Sequence, residues 1–95
     1  MAESREGFVE NDYEAPAGEL ETAVAEIIAE VLGVDRLGRA DSFYDFGGTS
    51  LQAIRICTRI ETKLGLKAVP MWLFDNDVLS DFAGQLGQTV AAAGE

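Results

Sequence analysis

Two apolar stripes at helical spacing, each shut off by a glycine, constrain this chain more than any other feature. In residues 19–32, Leu20, Val24, Ile27, Ile28, Val31 and Leu32 fall on one side, opposite Glu19, Thr22, Glu26 and Glu30. That is the period of a helix with one face to bury, and Gly33 follows where a helix is expected to stop. Residues 50–64 repeat the pattern. Ala53, Ile56, Cys57, Ile60 and Leu64 gather opposite Gln52, Arg55, Arg59, Thr62 and Lys63, and Gly65 closes the segment.

The rest of the pattern is helical too. Pro70 opens a short segment, Met71-Trp72-Leu73-Phe74, that reads as one helical turn with proline in its first position. Asp75, Asn76 and Asp77 read as capping residues for a last helix over residues 78–90, with Leu79, Phe82, Ala83, Leu86 and Val90 inward. No segment alternates with the period of a strand, and no internal repeat is visible. The expected fold is all-α: a small four-helix bundle of three main helices and one short helix, with a long first loop. At 95 residues the chain makes one domain with a modest core. Residues 1–15, with Glu3, Glu6, Glu10, Asp12 and Glu14, read as a flexible acidic leader. Residues 16–90 form the domain, and residues 91–95 a frayed tail.

Charge and composition remove several functions. Seventeen acidic against seven basic residues give a net charge of −10, which repels nucleic acid phosphates, so no nucleic acid partner is expected. No apolar run is long enough to span a membrane, and residues 1–14 lack the apolar stretch of a signal peptide. A cytoplasmic protein with no membrane partner is expected. The absence of histidine removes Ser-His-Asp and Cys-His catalysis and the commonest zinc ligand. Asp41 and Asp45 suggest a calcium loop, but Phe43 stands at a ligand position and Gln52 at the bidentate one, so no metal is expected. Cys57, the single cysteine, lies on the core side of its helix and reads as a buried structural thiol. Trp72 reads as partly buried packing.

Residues 34–49 are a connection longer than the usual ~2–8 residues between helices. Val34, Leu37, Phe43, Tyr44 and Phe46 should pack it against the domain, and long packed loops are often functional. It ends in Gly47-Gly48-Thr49 and delivers Ser50 to the start of a helix. The commonest role for such a serine is to cap the helix. A nucleophile elbow fails, because Ser50-Leu51-Gln52 lacks the closing glycine and the chain holds no histidine base. The two glycines permit positive φ and let another protein's active site approach the backbone. A helix start also favours a phosphodiester, by about 0.3–1 kcal/mol where exposed. A serine displayed but not activated reads as a residue to be modified. Leu51 and Ile54, apolar and within one turn of it, suggest a docking surface.

Residues 41–51, Asp-Ser-Phe-Tyr-Asp-Phe-Gly-Gly-Thr-Ser-Leu, resemble the phosphopantetheine attachment segment of carrier proteins. Glu30-Val31-Leu32-Gly33-Val34 is similar to the close of that family's first helix, Ala53-Ile54-Arg55 and Arg59-Ile60 to its second, and Leu73-Phe74 with the acidic residue after it to its third. The Gly-Gly form and Phe43-Tyr44 look more like peptidyl carriers of nonribosomal peptide synthesis than acyl carriers of fatty acid synthesis. Those acyl carriers usually have aspartate before the serine and an acidic second helix, where this chain has Thr49 and a basic stripe of Arg55, Arg59 and Lys63. Two departures concern Thr49, where peptidyl carriers often have His or Asp, and Asp77, where they often have proline.

The resemblance implies a non-catalytic peptidyl carrier with a 4′-phosphopantetheine arm on Ser50, flanked by Gly47, Gly48 and Thr49. A phosphopantetheinyl transferase would attach the arm. An adenylation enzyme would load it with an aminoacyl thioester, and condensation or tailoring enzymes would take the cargo. Leu51, Ile54, Phe43, Tyr44 and Phe46 would form the partner surface, and the chain would work as a free-standing monomer. The alternatives are an acyl or D-alanyl carrier sharing fold and prosthetic group, and a helical interaction module in which Ser50 is only a cap.

Overall fold

The computed structural model describes residues 2–93, and the side chains of residues 2–88. Four α-helices follow in order: α1 (Gly18–Leu32), α2 (Ser50–Leu64), α3 (Pro70–Asp75) and α4 (Leu79–Ala93). Both glycine stops act as expected. Gly33 and Gly65 take left-handed φ of 75° and 67°, and their N–H groups close the last turns onto the carbonyls of Ala29 and Glu61. Pro70 begins α3, where its missing N–H costs nothing.

α1 packs against α2 and α4, and α2 and α4 also pack against α3. Ile28, Ile56, Ile60, Leu73, Leu79, Phe82 and Leu86 are fully buried between them, each worth about 1.5–3 kcal/mol on transfer from water. Cys57 joins this core, as its place in the stripe implied, and Trp72 packs partly buried against it. Among the described residues no helix is long and apolar enough to cross a membrane.

Three expectations change. α4 begins at Leu79 rather than at residue 78, and its helix continues through Ala93, into the stretch read as a frayed tail. Gly94, Glu95 and the inward side of Val90 lie outside the described residues. Asp75 ends α3, and Asp77 accepts a 2.5 Å hydrogen bond from the Ser42 hydroxyl, so neither begins α4 as a cap. The aspartate is drawn off because Ser42 and Val78 form an antiparallel bridge that sets the first loop beside the approach to α4.

The third change is larger. Residues 3–14, expected as a loose leader, lie against the loop that follows α1. Glu3 pairs with that loop through its backbone, donating to Gly33 O and accepting from Asp35 N–H, both at 2.7 Å. Arg5 is buried at 1% exposure, and Val9 packs on the core. A burial of this kind needs a paired charge, and Asp41 supplies it.

Candidate functional site

The long loop ends in a 3-10 turn, Phe43–Phe46, that sets up the start of α2. Ser42 initiates it by accepting the Tyr44 N–H at 3.2 Å, while its hydroxyl reaches Asp77. The Phe43 N–H donates to the Asp77 carbonyl at 2.8 Å. Residues three apart on a 3-10 turn share a side, so Phe43 and Phe46 both point inward, 1% and 5% exposed. They are core residues and not the partner surface expected of them. Tyr44 points out, half exposed, and its hydroxyl donates to the Phe74 carbonyl of α3 at 3.0 Å.

Gly47 ends the turn with φ 72°. Gly48 follows directly over the Phe43 ring, so close that a Cβ there would overlap the ring carbons. The two glycines are thus required for different reasons: one for backbone conformation, the other for space.

Thr49, not Ser50, caps α2. Its hydroxyl accepts the Gln52 N–H at 3.2 Å, and the Gln52 side chain accepts the Thr49 N–H at 3.1 Å, a complete capping box. Ser50 is the first residue of the helix, exposed, and its hydroxyl makes no hydrogen bond among the described residues. The amides of Ser50 and Leu51 precede the first intrahelical bond, from Ala53 to Thr49, and point out of the helix end. An exposed hydroxyl, two outward N–H groups and a glycine approach fit a phosphodiester at this position.

Around Ser50, Leu51 and Ile54 are exposed, at 56% and 51%. Met71 on α3 is exposed at 61% and was not singled out from the sequence. The short helix turns it outward while burying Leu73 two residues on. The basic stripe divides. Arg59 and Lys63 both reach Glu30 on α1, whereas Arg55 makes no ion pair among the described residues.

Asp41, where the loop turns toward the site, is the most heavily bonded side chain nearby. Burial pushes its carboxyl upward, but hydrogen bonds from Arg5, the Gly38 N–H and Asn11 outweigh this and hold it below the ordinary 3.8. Sequence reasoning missed Arg5. Its one signal was a lone base among five acids, and nothing local pointed to a partner 36 positions away.

The phosphopantetheine attachment site family matches residues 22–86. The chain belongs to that family. It is a non-catalytic carrier of the peptidyl/acyl type, in a small all-α bundle. It is similar to a non-ribosomal PCP domain of known structure at 32% identity, with TM-score 0.70, over 75% of this chain and 91% of that one. A peptidyl carrier protein solved with the phosphopantetheine transferase Sfp and coenzyme A aligns at 28% identity and TM-score 0.74, covering 80% of this chain and 99% of the other. Malpibaldin synthetase of Mortierella alpina is 40% identical over 85 residues, 90% of this chain. The chain spans only 2% of that synthetase's length.

Proposed function

We propose that Ser50 carries a 4′-phosphopantetheine arm and that the chain presents aminoacyl or peptidyl thioesters to the enzymes of nonribosomal peptide synthesis. One observation carries this most: Thr49 does the capping, so the Ser50 hydroxyl is exposed and uncommitted at a helix start. In the attachment step the Ser50 oxygen displaces the nucleotide portion of coenzyme A at phosphorus, and the transferase takes the proton. The thiol at the end of the arm then holds the cargo.

The residues of this chain bind and position. Gly47 and Gly48 admit the transferase, and the amides of Ser50 and Leu51 face the phosphodiester. Leu51, Ile54, Tyr44 and Met71 offer a small, partly apolar surface to an adenylation enzyme and then to condensation or tailoring enzymes. Weak contact suits a domain that visits several partners in turn, because the tether keeps each encounter effectively intramolecular. The carrier domain, residues 16–90, acts as a monomer in this reading. Its compartment is the cytoplasm, where coenzyme A is available.

Incubation with coenzyme A and a promiscuous phosphopantetheinyl transferase tests the attachment. The intact mass should rise by one arm, about 340 Da, and Ser50→Ala should not gain it. No gain in the wild type, or the same gain in the variant, ends the reading. Loading the product with adenylation enzymes and with acyl-CoA donors separates peptidyl from acyl use.

A further inference from the structure

The N-terminal segment is more than an attachment to the fold. The Arg5 guanidinium lies between three groups of acceptors. Its Nε and Nη2 donate to the two Asp41 oxygens at 2.5 and 2.8 Å, Nη2 also reaches the carbonyls of Asn11 and Asp12 at 3.2 and 3.3 Å, and Nη1 reaches Glu6 at 3.1 Å. The Arg5 N–H donates to Asp35 Oδ1 at 2.8 Å. One buried side chain therefore folds residues 3–14 back on themselves and fastens them to Asp41.

Asp41 begins the path to Ser50. Its carbonyl accepts the Leu79 N–H at 3.0 Å, which fixes it to the start of α4. The next residue opens the 3-10 turn, whose Phe43 ring supports Gly48, one residue before the cap and two before Ser50. A second, independent contact comes from the same segment. The Phe8 ring, 42% exposed, lies 5.3 Å from the Phe46 ring and covers it, and Phe46 directly precedes Gly47. Both ends of the turn that carries Ser50 are thus held by residues 5–8.

We propose that Arg5 is a positioning residue for Ser50, acting through Asp41, and that Phe8 assists it through Phe46. The inference rests on the carrier reading for its kinetic consequence but not for its structural one. With Arg5 clasped, the turn and the glycines above it are set; without it, the turn shifts and Ser50 meets the transferase in the wrong place. Misplacement by about 1 Å can cost ~100-fold in a positioned reaction, so partial loosening should cost about tenfold.

The test compares Arg5→Ala, Arg5→Lys and Phe8→Ala with Leu86→Ala, a core truncation in α4 that loses stability without touching the clasp. All are measured in the full chain, at a temperature where each is folded, with coenzyme A and the promiscuous transferase. Arg5→Ala should lower kcat/KM for arm attachment about tenfold and shift the amide NMR resonances of Gly47, Gly48, Thr49 and Ser50. Arg5→Lys should recover part of both, since it keeps the charge but not the fork. Phe8→Ala should slow attachment about threefold, and Leu86→Ala should leave rate and resonances close to wild type. Wild-type rates and unmoved resonances in Arg5→Ala and Phe8→Ala overturn the proposal, and so does an equal effect of Leu86→Ala. If Arg5→Ala does not fold, Phe8→Ala decides by the same two readouts. A wild type that takes no arm would remove the reading of Ser50, while the resonances would still decide whether Arg5 positions the turn.

Discussion

The ring of Phe43 fills the space where Gly48 would carry a side chain. Phe43 is buried at 1% exposure and its carbonyl accepts the Gly48 N–H at 3.2 Å, so the ring cannot swing away without opening the turn. Gly48→Ala should therefore destabilise the protein by about 1–3 kcal/mol, the usual range for overpacking. It should also slow arm attachment. Chemical denaturation and the rate of mass gain measure the two effects, and an unchanged stability would mean the ring yields freely.

The cap, Thr49, and the proposed acceptor, Ser50, are adjacent residues whose roles should be separable. Thr49→Ala removes the capping hydroxyl and should cost about 0.5–2 kcal/mol while the arm still attaches. Ser50→Ala should change stability by less than about 0.5 kcal/mol and abolish attachment. Urea unfolding with intact-mass analysis of both variants gives the answer. A large stability loss in Ser50→Ala alone would return the capping role to that residue.

Surface and core apolar side chains should part company under substitution. Leu51→Asp and Ile54→Asp alter exposed side chains, so stability should hold while aminoacyl loading falls on the order of tenfold. Phe43→Ala and Phe46→Ala empty core sites and should cost about 3–5 kcal/mol. Loading kinetics and denaturation on the same samples check both halves.

The clasp predicts an acid limb. The Asp41 carboxyl is held below 3.8, burial opposing and the Arg5 hydrogen bond prevailing, and Arg36 foremost holds Glu6 down to about 2. A carboxyl depressed in the folded state adds stability above its unfolded value and loses it as pH falls through the folded one. As far as these two carboxyls go, stability should be level above about pH 4.5 and fall between there and about pH 2. Asp41→Asn should flatten part of that fall and lower stability near neutrality, since a buried charge loses its partner, by about 3–5 kcal/mol. Urea midpoints across that range decide it.

Cys57 should be inert while the fold holds. Burial above all, with Glu61 adding to it, pushes its thiol up to about 11. The native apo protein should not react with a thiol reagent at pH 8 and should react once denatured. A raised thiol contributes stability below its ordinary 9.0 that is lost as pH climbs toward 11. In the arm-bearing form the fast thiol should be the arm's alone, so titration counts attachment directly.

Local pattern was enough for much of this protein. The stripes of α1 and α2, their glycine stops, Pro70 at the head of α3 and the display of Ser50 all depend on residues within a turn or two of one another. Periodicity and backbone preference act over that range, and so the four helices and a serine exposed at a helix start could be read directly. Tertiary structure decided the rest. Which of Thr49 and Ser50 caps depends on where the 3-10 turn leaves the chain, a shift of one residue. The same turn sends Phe43 and Phe46 inward and Tyr44 outward, though all three look alike in sequence. Met71 became surface only when α3 was laid on α2. Arg5 found Asp41 across 36 positions because burial demands a partner for a charge and not because any local pattern joins them.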